Sequence, residues 1–375
     1  MKILITLLLV LTGASTSLAA VKTWDGGGVD DNWRTAANWV NDVAPVSGDD
    51  LVFPAVAAKY TSSNNLTLFS TIRSMTFEGG TYTISGSPLL LSNGIVVTDG
   101  NQAINLVINL TAPQTFSATN STAVGIVVAA LLGSNTLTID GAGGIGLGLI
   151  SGSGRIVKNG GGGALISSAS NYSGQITENQ GVLIVDASIP SSTVTVNIIP
   201  AAATFDLSLF GLSDKSYDVF APGEGISPGA GGLGGTGTVG AVNVVSGYIS
   251  AGTLTSPTGI LNTGNLNFAA DGAFLAKLNG ATAGENGYDQ VNVTGTVSLN
   301  NAQLQILPSE TTPPPIRRPL VILRNDGTDP VNGTFLNAPE GALILNAAGT
   351  MRFRINYGGG DGNDIILTRV RLPRV

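Results

Sequence analysis

Short runs of alternating apolar and polar residues fill most of the chain, and clusters of glycine and small polar residues separate them. Residues 81–86, 135–141 and 292–300 are examples of such runs. The alternation predicts β-strands and the clusters predict turns. Turn signals recur about every 8 to 12 residues, a spacing typical both of a sandwich or barrel and of a stacked solenoid. Outside residues 1–19 no segment of ten or more residues has helical periodicity, so the sequence predicts an all-β fold.

An internal repeat decides between these architectures. Its clearest unit covers residues 152–185 and contains GSGRIVKNGG, GALIS, SNYSGQIT and NQGVLIV, in that order. This unit resembles the autotransporter-associated β-strand repeat, whose members form a right-handed parallel β-helix in secreted passenger regions. A strand with one apolar face buries that face only by stacking on neighbours, which agrees with such a fold. The resemblance implies a right-handed parallel β-helix. At roughly 20 to 25 residues per coil, about 300 repeat-like residues predict a rod of about 12 to 15 coils, roughly 60 to 70 Å long by the strand spacing.

The segment before the repeats holds all the tryptophans of the chain. Trp24, Trp33 and Trp39 lie within 16 positions of one another. Indole rings bury large apolar areas, so we interpret residues 20–60 as an aromatic cap over the open end of the solenoid. A sugar-stacking platform is the alternative interpretation.

The segment after the repeats also resembles the same family. The matching stretches are residues 259–266, 288–295, 325–327, 331–335 and 357–368. The resemblance is to the passenger part of such proteins, without the translocator barrel. The predicted organisation is a signal peptide at 1–19, the cap at 20–60, solenoid repeats at 61–310 and a β-rich C-terminal region at 311–375.

Residues 1–19 have the composition of a secretory signal peptide. Lys2 supplies a basic start, residues 3–11 are uncharged, and Ser17-Leu18-Ala19 fits a cleavage site after Ala19. The apolar run is too short to span a bilayer. We expect an exported protein, secreted or held at the outer surface of a bacterium, with no transmembrane segment once the signal is removed.

Composition excludes several kinds of chemistry. The 375 residues contain neither Cys nor His, which excludes disulfides, Cys or His metal sites and Ser-His-Asp or Cys-His nucleophiles. The chain has 17 basic and 24 acidic residues, and its net charge is −7. Nucleic-acid affinity depends on positive charge, so no nucleic-acid partner is expected.

One short motif suggests a metal. Residues 359–366, GGDGNDII, fit a single calcium-binding nonapeptide, and Asp361 and Asp364 are its candidate ligands. Successive repeats share each ion in calcium β-rolls, whereas this chain has one copy. A Gly-rich hairpin turn before the last strand is therefore the alternative, and no other cofactor is predicted.

The remaining acidic pairs are interpreted as turn carboxylates. They are Asp30 with Asp31, Asp49 with Asp50, Asp214 with Asp218, and Asp326 with Asp329.

The expected function is a rigid, non-enzymatic structural or adhesive element outside the cell. The adhesive part is what the family resemblance implies, with surface polysaccharide or a host or neighbouring cell surface as partner. The alternative is a carbohydrate-active β-helix enzyme or a glycan-binding module. An enzyme of that kind would need a cluster of carboxylates and a basic residue within about 6 to 9 Å on one outer face.

Overall fold

The computed structural model describes residues 19–197, 231–252, 258–308, 312–346 and 348–372. The predicted signal peptide, apart from Ala19, and the pair Asp214 and Asp218 lie outside these ranges. The described chain is all-β, with 2% helix, and forms a β-solenoid of stacked coils. Its helical residues lie in two 3₁₀ turns, Ala36–Asn38 and Val40–Asp42. The prediction of an all-β parallel solenoid is confirmed.

Short strands make up the coils of the N-terminal half. In chain order they are β1 (Val21–Thr23), β2 (Asp50–Phe53), β3 (Thr61–Asn64), β4 (Thr71–Ile72), β5 (Ser74–Phe77), β6 (Thr83–Gly86), β7 (Leu89–Leu91), β8 (Ile95–Val97), β9 (Asn101–Leu110), β10 (Gln114–Ala118), β11 (Val124–Gly133), β12 (Leu137–Gly141), β13 (Gly144–Gly152), β14 (Ile156–Lys158), β15 (Gly163–Tyr172), β16 (Ile176–Glu178), β17 (Val182–Val185), β18 (Ser188–Ile189) and β19 (Val194–Asn197).

The C-terminal half continues the coils and then reverses direction. Its strands are β20 (Gly232–Gly234), β21 (Thr238–Val239), β22 (Val242–Ile249), β23 (Ile260–Thr263), β24 (Leu266–Leu278), β25 (Gln290–Val293), β26 (Val297–Ser298), β27 (Gln303–Pro308), β28 (Pro319–Asn325), β29 (Leu343–Leu345), β30 (Arg352–Gly359) and β31 (Asp364–Val370).

Each coil lies in parallel register on the one before it. In the first coils β2, β3 and β4 pair with β5, β6 and β7. Further along, Leu137 pairs with Ile156 and Ile156 with Ile176, so successive coils take 19 and 20 residues. The stacking begins with β1 on β2, inside the range predicted as the cap. It continues to β28, inside the predicted C-terminal region.

Within the described residues the solenoid has about 8 turns, fewer than the 12 to 15 coils that the sequence predicts. Two features of the described chain reduce the number of coils. The later coils are longer, since Ile260 pairs with Gln290, 30 positions on. The last strands, β29 to β31, pair antiparallel and add no coil.

Glycines at the coil corners allow the backbones of neighbouring coils to touch. A Cβ on Gly160 would clash with the backbone of Gly141 one coil below, and a Cβ on Gly181 would clash with Gly162. Gly181 also has a positive φ of 78°, which glycine adopts without steric penalty. The glycines of the repeat unit are therefore required by stacking.

Inward side chains form columns along the rod, and one column contains a buried charge pair. Phe116, Ile139, Lys158, Glu178 and Val196 occupy successive rungs. Lys158 and Glu178 are both fully buried. They point inward because each lies two residues after an inward isoleucine on its strand, and side chains alternate with a period of two.

The low-polarity interior perturbs both charges. Burial lowers the pKa of Lys158 to about 8, and the carboxylate of Glu178 opposes this shift. Burial raises the pKa of Glu178 well above its usual value, and Lys158 opposes that change. The Lys158 ammonium also donates to the backbone oxygens of Gly160 and Gln180. These bonds of Lys158 join two neighbouring coils, whereas neither carboxylate oxygen of Glu178 has a hydrogen-bond partner.

Aromatic side chains close the N-terminal end of the rod. Phe53 lies at the centre of this cluster, with its ring 6.4, 6.2 and 6.3 Å from those of Trp24, Trp33 and Trp39. It stacks on Phe77 of the next coil at 4.8 Å. The indoles are fully buried, so the cap is confirmed and these tryptophans offer no exposed sugar-stacking platform.

Each indole N–H of the cap has a hydrogen-bond partner, which burial requires. Trp24 donates to the Lys59 backbone oxygen at 2.9 Å and Trp33 to Ser62 Oγ at 2.9 Å. Trp39 donates to the Trp33 backbone oxygen at 2.8 Å. These bonds fix the orientation of the rings.

A loop and a reversed hairpin close the other end. Asn332 exchanges backbone hydrogen bonds with Val297 and Leu299 of the last coil. Phe335 follows and is buried, with its ring 6.0 Å from that of Phe274. Tyr357 accepts the Phe335 N–H at 3.0 Å. The chain then returns through β29, β30 and β31, and β31 pairs antiparallel with β28.

Replacing Phe53 by alanine tests the N-terminal cap. We expect Phe53→Ala to lower the free energy of unfolding of this end by about 3–5 kcal/mol, because it leaves a cavity between the three indoles. All tryptophans lie in the cap, so their fluorescence during urea unfolding reports on it alone. Val56→Ala is the control, since Val56 is 83% exposed. Equal unfolding midpoints for the two variants would contradict this account of the cap.

Candidate functional site

A surface pocket of about 310 Å³ lies near the C-terminal end of the solenoid. Strands β23, β25 and β28 form its floor, and two loops form its walls. Its lining residues are mostly polar or charged: Asn262, Asn292, Val293, Thr294, Arg324, Asn325, Asp326, Gly327 and Asp361.

The floor of the pocket is an outward column of the stacked strands. Thr238, Asn262, Asn292 and Arg324 pair in register, one on each of four consecutive strands. Asn292 Nδ2 donates to Asn262 Oδ1 at 2.9 Å, which begins a carboxamide ladder. Arg324 follows the ladder and is exposed. The stacking of coils therefore aligns amide groups and one guanidinium along a single face.

The walls are the loop after β28 and the tip of the β30–β31 hairpin. Asn363 at the tip inserts its amide into the loop, where Nδ2 lies 3.2 Å from Asp326 O and 3.0 Å from Asp329 O. The next residue, Asp364, accepts the Asn325 N–H on Oδ1 at 2.9 Å. These contacts latch the hairpin onto the last parallel strand. We call residues 325–329 and 359–364 the latch.

The structure separates the roles of the two predicted calcium ligands. Asp361 is exposed at the rim of the pocket. Asp364 is buried, and its carboxylate is committed to the Asn325 N–H. Burial raises the pKa of Asp364; nearby Asp361 adds to the shift, while the Asn325 N–H and Arg324 oppose it. The alternative interpretation of a Gly-rich hairpin turn agrees with the pairing of β30 and β31.

Other acidic residues have structural partners. In the cap, Asp30 accepts from Asn32 and Thr35, and the pKa of Asp30 is lowered, mainly by the Thr35 hydroxyl and then by Asn32. Asp31 lies 3.5 Å from the Lys59 ammonium. Near the first coil, Asp49 accepts the Val46 N–H at 2.9 Å.

Asp50 has partners on the next coil, since it binds Arg73 and Ser74. Among the residues that the structure describes, no three Asp, Glu, His or Cys side chains are grouped so that they could hold a metal ion. A metal at the latch would therefore have to rely on other oxygen ligands.

Sequence analysis missed Asn292, Arg324, Asn325 and Asn363 as site residues. Two of these residues, Asn325 and Asn363, could have been found from the sequence. They belong to residues 325–327 and 357–368, stretches that resemble the C-terminal part of the repeat family's members. Their meeting in space was not predicted. It depends on the antiparallel return of the chain, which no short-range pattern encodes.

No protein-family model matches the chain, and no curated protein matches it significantly. Within the described ranges, no helix is both long and apolar enough to span a membrane. The resemblance to the autotransporter-associated repeat rests on the quoted motifs alone.

Two glycine substitutions test the latch. Gly360 and Gly349 both have positive φ, 57° and 68°, so alanine strains the backbone at either position. A Cβ on Gly360 would also clash with the Asp364 carboxylate, whereas nothing lies within 4 Å of one on Gly349. Displacing Asp364 leaves the buried Asn325 N–H unpaired. We therefore expect Gly360→Ala to reduce the free energy of unfolding by about 1–3 kcal/mol more than Gly349→Ala.

Calorimetry of both variants and of the unmodified chain measures this difference. A loss for Gly349→Ala as large as that for Gly360→Ala would show that only backbone strain matters and that Asp364 does not hold the hairpin.

Proposed function

We propose that the chain is an exported, non-enzymatic β-solenoid that serves as a structural or adhesive element of the bacterial surface or extracellular space. The closure of the rod at both ends carries this proposal. Exposed parallel edges would join rods end to end, whereas the indole cluster and the Phe335 loop bury them. A closed rod remains a discrete and rigid object, as a spacer or surface fibre unit requires.

The outer face of the rod also supports a structural role. Thr138, Val157, Thr177 and Thr195 follow one another in an outward column, and each is half-buried. On a later coil Asn267 Nδ2 donates to Asn243 Oδ1 at 3.2 Å. Small polar side chains in such columns cover the backbone without forming a deep cleft. The carboxylates of Asp30, Asp49, Asp50 and Asp364 are occupied with holding loops and coils.

Export and the family assignment rest on sequence features. Residues 1–19 have the composition of a signal peptide, and the unit at 152–185 resembles repeats of secreted passengers. The chain contains no cysteine, so its stability depends neither on disulfides nor on an oxidising compartment. The proposed binding partner of the exported chain is surface polysaccharide or the surface of another cell.

A glycan-binding module is the second candidate, and the polar pocket favours it. The pocket offers amide, hydroxyl, guanidinium and carboxylate groups on a rigid floor. Such groups can pair with the hydroxyls of a sugar. Asp326 and Asp361 also line this pocket, and they are the carboxylate pair that a glycoside-cleaving enzyme would use there.

Secretion in a Gram-negative host tests the main proposal. We expect the full chain to leave the cytoplasm and to begin at Ala20, measured by fractionation and intact-mass spectrometry. Ala19→Tyr is the matched variant, since a bulky side chain before the cut blocks cleavage that requires a small residue. An intact N-terminus with all protein in the cytoplasm would contradict export.

Binding of the secreted protein to purified surface polysaccharide separates the two candidates. Arg324→Ala removes the only cation among the lining residues of the pocket. Binding that this variant abolishes favours the glycan module. Binding that it leaves unchanged favours adhesion along the rod.

A further inference from the structure

The antiparallel sheet formed by β28 to β31 has an outer side on which arginines alternate with apolar residues. Residues that pair across antiparallel strands lie on the same side of a sheet. Phe353, Ile355 and Leu367 are buried and mark the inner side, so their neighbours along the strands point outward. Three cross-strand rows lie there: Leu345, Arg352 and Val370; Leu343, Arg354, Thr368 and Pro319; Asn356, Ile366 and Val321. We call these residues the terminal face.

Apolar side chains of the terminal face are open to solvent. Leu343 is 46% exposed and Leu345 is 53% exposed, and both lie on β29, the edge strand of its sheet. Leu372, which follows β31, is 45% exposed. Proteins normally cover an apolar edge strand or block it with charge. The leucines therefore indicate a partner that offers an apolar environment.

The charged groups of the terminal face are all positive. Arg352 and Arg354 lie within two of its rows, and Arg352 donates to the backbone oxygen of Arg371 at the margin, at 3.1 Å. Within the residues that the structure describes, neither Arg352 nor Arg354 forms an ion pair with a carboxylate. Glu340 lies beside the third row, where it accepts the amide of Asn356. The face is thus cationic on a chain whose net charge is −7.

A bilayer that carries anionic lipids matches both features of the terminal face. Its phosphates lie in one plane, where guanidinium groups can bind them through paired hydrogen bonds. Hydrocarbon lies beneath that plane and can take up exposed leucine side chains. A soluble polyanion offers the charge without the hydrocarbon. A second copy of the chain, packed face to face, would place arginine against arginine, and like charges repel.

We propose that the terminal face docks the solenoid on an anionic lipid surface. Arg352 and Arg354 bind lipid phosphates, while Leu343 and Leu345 enter the boundary between head groups and acyl chains. Only one side of the sheet makes this contact, so the rod stays outside the hydrocarbon core of the bilayer. Neither the polar pocket nor the latch takes part in it.

Flotation of the purified full-length chain with lipid vesicles tests this docking. Two preparations are compared, phosphatidylcholine alone and phosphatidylcholine with about one-third phosphatidylglycerol. We expect at least about tenfold stronger partitioning to the anionic vesicles, because each arginine at such a surface strengthens binding about fivefold. Sodium chloride at about 0.5 M should abolish this gain, since it shortens the Debye length to about 4 Å. Equal partitioning to both preparations would overturn the proposal.

Two double variants identify the groups that bind. Arg352→Gln with Arg354→Gln should weaken partitioning to anionic vesicles roughly 10- to 30-fold and reduce its dependence on salt. Leu343→Ser with Leu345→Ser should weaken it at least about fivefold without changing that dependence, because the leucines contribute apolar contact. These side chains are wholly or partly accessible, so both double variants should melt at the temperature of the unmodified chain. Full binding by either one would contradict the terminal face.

Arg34→Gln with Arg155→Gln is the matched control. Both arginines are exposed, one in the cap and one at a distant coil, and their loss changes the net charge as much as the loss of Arg352 and Arg354. Residues 1–19 are common to all variants. The control should keep its binding within about twofold of the unmodified chain. A loss as large as that of the Arg352 and Arg354 variant would show that net charge alone matters and would overturn the proposal.

Measurements without lipid test the other occupants. Sodium alginate, a soluble polyanion, should bind at least about tenfold more weakly than anionic vesicles, and light scattering should show a monomer. Alginate binding as tight as vesicle binding would assign the face to polysaccharide. A dimer that the leucine variant dissociates would assign it to a second copy, and either result overturns the proposal. All these measurements use purified protein, so lipid binding can fail while export stands, and export can fail while lipid binding stands.

Discussion

Stacking of parallel coils in register is the constraint on which the rest of the structure depends. A strand of three or four residues cannot bury its apolar side chains within its own coil. It buries them against the rungs above and below, and its backbone groups bond to the same neighbours. Phe116 on Ile139 and Ile156 on Ile176 are steps in these columns. Because every coil depends on its neighbours, the first and last coils require a different solution.

The two ends solve this problem by different means. At the N-terminus, three indoles from an irregular segment cover Phe53, and each N–H is bonded. At the C-terminus the chain turns back, places Phe335 over the last coil and pairs β31 antiparallel to β28. The return brings the hairpin tip to the loop after β28. The polar pocket and the latch are therefore consequences of how the rod is closed, which links the candidate site directly to the fold.

The sequence is most informative where local pattern and stacking agree. The unit at 152–185 contains all of β14, β15, β16 and β17, and its glycines lie at the corners. The same alternation places Lys158 and Glu178 inward, two residues after Ile156 and Ile176, although charge alone suggests exposure. The number of coils was overestimated because longer coils and the reversed strands cannot be counted from composition. The contact between Asn363 and Asp326 joins positions 37 apart through antiparallel pairing, which the repeat does not encode.

Distance measurement between two outward residues tests the central claim most directly. Thr115, Thr138, Val157, Thr177 and Thr195 form one outward column by successive pairing, and the chain has no native cysteine to interfere with labelling. Spin labels on Thr115→Cys and Thr195→Cys should give a single narrow distance near 19 Å, about four inter-strand steps. A broad distribution, or a distance beyond about 35 Å after allowance for the label linkers, would contradict in-register stacking of these coils.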